Sequence, residues 1–279
     1  MWLLRVFWLS LVLVLPALAA EPITVVSWNL EWFPGGFPDA PAAAQRRQME
    51  RAKNALAALQ PDILCLQEVR DWRSAAELVS VVPGMKVQVI SNFDGAQQQV
   101  IASRFPIDSG WSQRWKWKGK RSDHPPRGYT FAALKLPGDR FLLTYSLHLK
   151  ANGRNTLRTD IRKREEATRQ LALHVSGMER LFGRRGQSAV LVAGDFNTTP
   201  DDDEPRFLHE KTLRSLFDSG YRWTFSGVPP RERETVRATR RYPAITFDHV
   251  LTRRLGQPKA RVERINGVSD HFPVVLEIR

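Results

Sequence analysis

Short polar clusters stand at the ends of apolar, β-rich segments along most of the chain, and this placement limits the folds that the sequence can adopt. The clusters are Trp28–Trp32, Gln67–Glu68, Ser146–His148, Gly194–Asn197, Phe247–His249 and Ser269–His271. A strand end can hold a carboxylate or an imidazole rigidly at the rim of a cleft. The pattern therefore predicts several strands whose ends converge on one site.

Helical stretches interrupt these segments without a strict alternation of strand and helix. Helices are predicted over Pro41–Leu59, Leu157–Phe182 and Phe207–Phe217, and Pro61 lies just past the end of the first. Strands are predicted at Ile23–Trp28, Ile63–Gln67, Lys86–Ser91, Gln99–Ala102, Thr130–Leu136, Phe141–Leu147, Ser188–Ala193, Thr246–Leu251 and Val274–Ile278. This mixture favours an α+β sandwich over a doubly wound parallel sheet.

The first 20 residues have the features of a secretory signal peptide. Arg5 precedes an apolar run from Val6 to Leu18, and Ala17-Leu18-Ala19 offers a cleavage site. The run is about 15 residues, whereas a bilayer span needs roughly 20; a retained membrane anchor is the alternative interpretation. We therefore expect an exported protein, periplasmic or extracellular, with residues 21–279 as one catalytic domain that contains no internal repeat.

The charge balance is strongly basic. A formal net charge of +13 attracts polyanions such as nucleic acids, anionic lipid or lipopolysaccharide, although charge alone does not choose among them. A basic, solvated face without a partner is the alternative. Cys65 is the single cysteine, which excludes an intramolecular disulfide, so the stability of the fold must come from its core.

Taken in order, the polar motifs resemble those of the endonuclease/exonuclease/phosphatase superfamily. The matching motifs are Trp28-Asn29, Gln67-Glu68, Ser103–Ile107, His148, Gly194–Asn197, Asp248-His249 and Ser269–His271. Each motif is weak alone, but the ordered set spans nearly the whole of residues 21–279. The resemblance implies a four-layered αββα sandwich, which is an α+β fold, and an enzyme that hydrolyses phosphate esters.

The resemblance also implies a metal site built from Asn29, Glu68 and Asp270, in which the residue matching Glu68 is the central ligand. Oxygen ligands of this kind suit Mg²⁺, with Mn²⁺ as the second choice, and no Cys/His spacing suggests zinc. An isolated glutamate is usually a solvated surface charge. Glu68 differs because it terminates an apolar strand within the motif set.

A group of catalytic residues follows from the same resemblance. His271 matches a histidine that helps to generate the attacking water, Asp248 matches the carboxylate that orients it, and His148 matches a histidine that contacts the phosphate. Asp195 and Asn197 would position the water, and Asp195 is a rival base. Which histidine acts as acid and which as base stays open, and a purely structural role is the alternative for each.

Four residues are expected to contact the substrate. Arg127 and Tyr129 precede a strand where members of the superfamily often place a phosphate-contacting arginine or tyrosine, although a surface role is the alternative for Arg127. Lys150 and Asn152 belong to a stretch that is similar to the His-Leu-Lys-Ser sequence of bacterial secreted nucleases. Ala151 replaces the serine of that sequence.

The substrate class rests on the basic charge and the export pattern. We expect a nuclease, with DNA as the favoured substrate and no obligate protein partner. The alternative is a phosphatase or phospholipase-type phosphodiesterase acting on inositol phosphates or lipid head groups, because one catalytic core serves both chemistries. A non-catalytic polyanion-binding protein is the third hypothesis. The segment Arg114–Arg121 alternates rings and cations, which fits either nucleic-acid binding or a half-buried strand.

Overall fold

A computed structural model of the chain describes residues 21–116, 119, 124–153, 156–200, 205–240 and 242–279. The predicted signal peptide, residues 1–20, lies outside the described residues. The strands are β1 (Ile23–Phe33), β2 (Ile63–Val69), β3 (Lys86–Ile90), β4 (Gln98–Ser103), β5 (Ile107–Arg114), β6 (Gly128–Leu136), β7 (Arg140–His148), β8 (Gln187–Asp195), β9 (Arg222–Trp223), β10 (Asp248–Arg253), β11 (Ala260–Val262) and β12 (Val274–Ile278). The helices are α1 (Ala42–Leu59), α2 (Trp72–Val79), α3 (Leu157–Gly183) and α4 (Thr212–Asp218).

The strands form two six-stranded sheets with the same internal plan. Sheet 1 has the order β11-β12-β1-β2-β4-β3, and sheet 2 has the order β5-β6-β7-β8-β10-β9. Each sheet has a central parallel pair, β1 with β2 and β7 with β8, and the other neighbours are antiparallel. Parallel neighbours need a crossover connection, which α1 and α3 supply. Predicted site residues stand at or near the carboxyl end of each of these four central strands.

Three apolar clusters hold the layers together. Cys65 of sheet 1 and Leu134 of sheet 2 belong to the cluster between the sheets. Leu56 of α1 packs in a second cluster on the outer face of sheet 1, and Leu171 of α3 packs in a third on the outer face of sheet 2. Burial of these faces is the main favourable contribution to folding. The layers run α, β, β, α, which confirms the predicted sandwich.

Local signals explain the first helix. It begins directly after Pro41, and Gln60 adopts a left-handed conformation with φ of 44° that ends it before Pro61. The buried side chains of this helix are Gln48, Met49, Ala52 and Leu56, spaced to form one face. Among the described residues, no helix has both the length and the apolar character needed to cross a membrane.

One helix prediction needs correction, and one helix was not predicted. The helix expected over Phe207–Phe217 is instead a 3₁₀ turn at Pro205–Phe207 followed by α4. Between them the Glu210 carboxylate is held by Arg164 and by the Thr212 hydroxyl, which fixes a non-helical connection. The short helix α2 was not predicted from the sequence; the Asp71 side chain caps it by accepting a hydrogen bond from the Ser74 amide.

Candidate active site

Side chains from all four central strands meet at one edge of the sandwich. Asn29 Nδ2 donates to Glu68 Oε1 at 3.3 Å and to Asp195 Oδ2 at 3.0 Å, so this amide links the two sheets. His148 Nε2 lies 3.6 Å from both of those carboxylate oxygens. Asn29, His148 and Asp195 are each at most 2% exposed. The structure thus brings together one predicted residue from each of β1, β2, β7 and β8.

Several residues of this edge hold a left-handed backbone although they are not glycine. They are Glu31 (φ 50°), Trp32 (φ 47°), Glu68 (φ 61°), Arg127 (φ 63°) and Asn197 (φ 53°). Such conformations cost on the order of 1–3 kcal/mol each and persist where surrounding contacts hold them. Here the Trp32 amide donates to Glu68 Oε2 at 3.0 Å, and the pairing of β1 with β2 shifts register after Asn29.

Gly194 sets the distance between β7 and β8. Its φ is 144°, and a Cβ at this position would lie 2.1 Å from the Leu147 carbonyl oxygen. No other residue fits there, and the close approach places His148 beside Asp195 in the register. The Asn197 amide then donates to Asp195 Oδ1 at 2.8 Å, which fixes the direction of this carboxylate.

His271 and Asp248 form a buried pair next to this cluster. Nδ1 of His271 lies 2.7 Å from Asp248 Oδ2. Burial acts to lower the pKa of His271, but the charge and hydrogen bond of Asp248 outweigh it and the net pKa is raised. The imidazole therefore carries a proton at neutral pH. Ligand atoms of Asp195, Asp248 and His271 all lie within 4.8 Å of one another.

The other acid–base groups shift in different directions. Burial raises the pKa of Asp195; the positive charge of His271 opposes this effect, and the nearby Asp248 carboxylate adds to it. Burial also holds the pKa of His148 well below its usual range, and the positive charge of Arg127 lowers it further. At neutral pH His148 is therefore neutral, whereas Asp195 is a better proton acceptor than an ordinary aspartate.

Glu31, Glu68 and Asp270 form an acidic group beside Asn29. The Asp270 amide donates to Glu31 Oε2 at 3.0 Å. Burial, followed by repulsion from Asp270 and Glu68, raises the pKa of Glu31 to about 7. A divalent cation would relieve this repulsion, and carboxylate oxygens are the ligands that Mg²⁺ and Mn²⁺ prefer. The donor chemistry of these residues suits such an ion, although the ligand atoms that lie within 4.8 Å of one another are those of Asp195, Asp248 and His271.

Asn29, a predicted metal ligand, lies between the carboxylates of the site. Its amino group points at the two carboxylates, and its Oδ1 accepts from the Glu31 amide at 3.0 Å. The structure therefore shows Asn29 as a bridge that holds Glu68 and Asp195, with its oxygen turned toward Glu31. The Asp195, Asp248 and His271 group is a second acidic cluster, but both oxygens of Asp195 already accept hydrogen bonds from Asn29 and Asn197.

Tyr129, a predicted substrate contact, lies apart from the other predicted site residues. It is 2% exposed and packs with Leu147 and Leu171 in the cluster beneath α3. Tyr129 pairs with Leu147 across β6 and β7, whereas the adjacent Ser146 points to the other face and accepts from Gln67 Nε2 at 3.0 Å. The tyrosine thus lies on the face of sheet 2 that is turned away from sheet 1.

The other predicted substrate residues lie near the catalytic cluster. Arg127 donates to the carbonyl oxygens of His148 and Leu149 at 3.4 and 3.3 Å, and it interacts electrostatically with Glu68. Lys150 keeps 31% of its side chain exposed, and its Nζ lies 3.6 Å from Asp160 Oδ1 and donates to the Ala151 carbonyl oxygen at 2.7 Å. Asn152 uses both ends of its amide for contacts within the protein, which are described below.

The segment Arg114–Arg121 is described only in part. Arg114 ends β5 and pairs with Asp94 at 3.0 Å, while Trp115 is 3% exposed in the core. These residues agree with the half-buried strand interpretation. Residues 117, 118 and 120–121 lie outside the described part of the chain, so nucleic-acid binding by this segment stays a prediction.

Four residues that build the site carry no prediction from the sequence. Glu31 belongs to the acidic group, and its position two residues after Asn29 in the same motif was the available signal. Gln48, Arg164 and Thr235 anchor the surrounding loops through buried hydrogen bonds. No local motif marks these three, because each acts on residues that are distant in the sequence.

Comparisons with known proteins show the family and the fold of the chain. Residues 26–271 match the sequence profile of the Endonuclease/Exonuclease/phosphatase family. No curated protein sequence matches the chain. The catalytic domain of human Nocturnin, with a bound sulfate anion, has a TM-score of 0.69 at 17% identity, covering 94% of each chain.

Two further solved structures share the fold. An endonuclease/exonuclease/phosphatase from Beutenbergia cavernae has a TM-score of 0.67 at 18% identity, covering 92% of this chain and 71% of that one. Truncated TDP2 of Caenorhabditis elegans has a TM-score of 0.60 at 18% identity, covering 92% and 97%. Fold and site thus define a hydrolase of phosphate esters. The chain belongs to the endonuclease/exonuclease/phosphatase family, whose members are generally metal-dependent.

Proposed function

We propose that this protein is an exported, Mg²⁺-dependent phosphodiesterase that cleaves nucleic acid, with DNA as the favoured substrate. The observation that carries the proposal is the His271–Asp248 pair, at 2.7 Å, beside the Asn29, Glu68, His148 and Asp195 cluster. Together, the pair and the cluster place a buried cation, a proton acceptor and an acidic group for a metal at one edge of the sandwich. Direct attack of water on phosphorus needs these three components.

Each side chain has a role in this reaction. Asp195, whose pKa is raised, accepts the proton of the attacking water. Protonated His271 places its positive charge against a phosphate oxygen, and Asp248 keeps it protonated and oriented. Neutral His148 donates a hydrogen bond to the phosphate. This assignment favours Asp195 over His271 as the base.

The metal would be held by Glu31, Glu68 and Asp270. When bound, Mg²⁺ would neutralise charge on the phosphate and on the leaving oxygen. Asn29 would keep the Glu68 carboxylate in place through its hydrogen bond at 3.3 Å.

Substrate and compartment rest on broader features. The net charge of +13 favours a polyanion over a small neutral ester. The Nocturnin catalytic domain was solved with a sulfate anion, which has the tetrahedral shape of phosphate, and this supports an anion site on the shared fold. Export rests on the apolar run and the cleavage motif within residues 1–20.

The deciding experiment is hydrolysis of supercoiled plasmid DNA by the protein that begins at Glu21. Cleavage with Mg²⁺ that is lost in chelator and in His271→Ala protein is the expected result. Sphingomyelin, phosphatidylinositol and inositol polyphosphates are assayed in parallel. Turnover of one of these without DNA cleavage would replace the nuclease proposal by the phosphatase or phospholipase-type alternative, on which the same catalytic core would act.

A further inference from the structure

A buried ion pair lies behind the catalytic cluster. Arg164 of α3 is 0% exposed, and its Nε and Nη2 donate to the two carboxylate oxygens of Glu210 at 2.7 and 2.6 Å. The Nη1 atom of Arg164 donates in another direction, to the Lys150 carbonyl oxygen at 2.8 Å and to Asn152 Oδ1 at 2.9 Å. The guanidinium of Arg164 in α3 thus joins two other segments: the chain just before α4, which carries Glu210, and the loop that follows β7.

The amide of Asn152 continues this connection to the turn after β8. Its Nδ2 donates to the carbonyl oxygen of Asn197 at 2.9 Å. Arginine only donates and a carbonyl only accepts, so the Asn152 amide has one allowed orientation. Asn197 holds a φ of 53°, and its backbone N–H donates to Asp195 Oδ1 at 2.8 Å. The hydrogen-bond chain therefore ends at the carboxylate that receives the proton.

Stability alone gives a weak reason to bury these charges. Removing an arginine and a glutamate from water costs several kcal/mol per ion, and well-packed apolar residues often serve stability as well. Apolar residues cannot donate hydrogen bonds, whereas the planar guanidinium of an arginine binds two acceptor atoms along one edge and further acceptor atoms at a fixed angle to them. Glu210 also accepts from the Thr212 hydroxyl at 2.6 Å, which fixes its own direction.

We propose that Arg164, oriented by Glu210, is a positioning residue that acts through Asn152 on the Asp195–Asn197 turn. The inference rests on the proposed function, since it assigns Asp195 the catalytic proton transfer. It also changes the role of Asn152, which supports the turn through protein contacts and does not bind substrate.

Kinetics of Asn152→Asp test the proposal. The variant keeps an oxygen facing Arg164 but replaces the amino group that donates to the Asn197 carbonyl with a second oxygen. With bis(4-nitrophenyl) phosphate and Mg²⁺, we expect kcat to fall on the order of 10- to 100-fold, because a small displacement of a catalytic group has this effect. KM should stay within about twofold of the original value. Asn54→Asp, on the exposed side of α1, makes the same chemical change as a control.

A rise in KM with unchanged kcat would mean that Asn152 binds substrate, and it would overturn the proposal. Unchanged kcat and KM would overturn it as well. Arg164→Lys is the second variant: one ammonium group cannot hold Glu210 and Asn152 together, so the same selective loss of kcat is expected.

Hydrogen–deuterium exchange supplies a readout that needs no turnover. Peptides covering residues 195–199 should exchange faster in Asn152→Asp than in the unmodified protein, while peptides from β1 should not change. Unchanged exchange in residues 195–199 would contradict the positioning role. If the unmodified protein hydrolysed no phosphodiester, the proposed function would fail, yet the exchange measurement would still decide whether Asn152 holds the turn.

Discussion

Nδ1 of His271 lies 2.7 Å from Oδ2 of Asp248, and Thr235 fixes the position of both residues. The Thr235 hydroxyl accepts from the Asp248 amide at 3.0 Å, and its carbonyl oxygen accepts from the Phe272 amide at 2.7 Å. The two halves of the pair come from different segments of the chain, and this threonine links the backbone of Asp248 to that of Phe272, the residue after His271. The charge on the imidazolium therefore depends on a geometry that the backbone imposes.

Asp248→Asn should preserve this geometry and remove the negative charge. We expect kcat to fall by up to about 10⁴-fold, the loss caused by the same change in a hydrolytic triad, because the imidazole loses its charge and its orientation. Plasmid cleavage and circular dichroism measure activity and fold. Asp139→Asn, in the exposed turn between β6 and β7, is the matched control. Near-normal cleavage by Asp248→Asn would remove this pair from the mechanism.

Metal removal should abolish activity, and Mg²⁺ or Mn²⁺ should restore it. Glu31→Gln and Glu68→Gln are each expected to weaken Mg²⁺ binding by at least about tenfold. Loss of a residue that only hydrogen-bonds a metal ligand already lowers metal affinity about 10- to 100-fold, and loss of a ligand should cost at least as much. Isothermal titration calorimetry of metal-free protein measures this directly. Glu77→Gln, on the surface of α2, should bind Mg²⁺ as the unmodified protein does. Full Mg²⁺ affinity in both site variants would move the metal elsewhere.

Lys150 should contribute to nucleic-acid binding through its charge. Its side chain is 31% exposed, and its carbonyl oxygen is held by Arg164 at 2.8 Å. Lys150→Ala should raise KM for an oligonucleotide and reduce the slope of log affinity against log salt by about 1. Lys86→Ala, which removes an exposed lysine at the start of β3, is the control. An unchanged salt slope would show that Lys150 does not contact phosphate.

Stability should fall in mild acid because of His174. Burial lowers the pKa of this residue to about 4, and its Nδ1 lies 3.0 Å from the Tyr145 hydroxyl. An unfolded histidine takes up its proton near pH ~6.5. The unfolded chain thus binds more protons in this range, so the free energy of unfolding decreases as the pH falls from about 6.5 toward about 4.

Urea unfolding at pH 7 and pH 5 checks this effect. His174→Gln should show a smaller difference in the free energy of unfolding between the two pH values than the unmodified protein. Tyr145→Phe removes the hydrogen bond but keeps the buried histidine, so its pH dependence should persist. Equal pH dependence in His174→Gln and unmodified protein would assign the effect to other groups.

The sequence predicted the sandwich and most of the catalytic cluster because those residues stand in ordered motifs at strand ends. The sequence did not show on which face of a strand a side chain lies, and that face decides whether the side chain can line the site. Tyr129 belongs to a strand next to the site, yet pairing with Leu147 turns its ring toward α3. Asn152 looked available for substrate, and only the position of Arg164, 12 residues away, shows that its amide is already engaged.

Gln48 is the clearest case of a residue that sequence could not identify. Although 6% exposed on the buried face of α1, it donates to the carbonyl oxygens of Leu30 and Val268, each at 2.8 Å, and accepts from the Gly35 amide. It therefore ties the end of β1, which carries Glu31, to the segment that precedes Asp270. No motif marks a single glutamine on an amphipathic helix.

Gln48→Leu should keep the side-chain volume and remove every one of these hydrogen bonds. We expect the free energy of unfolding to fall by about 1–3 kcal/mol, because buried main-chain groups are left without partners. Mg²⁺ affinity should fall as well, since the end of β1 that carries Glu31 and the segment before Asp270 are no longer joined. Met49→Leu, at the neighbouring buried position of α1, should leave Mg²⁺ affinity unchanged. Loss of stability in Gln48→Leu with full Mg²⁺ affinity would confine Gln48 to the core and separate this connection from the metal site.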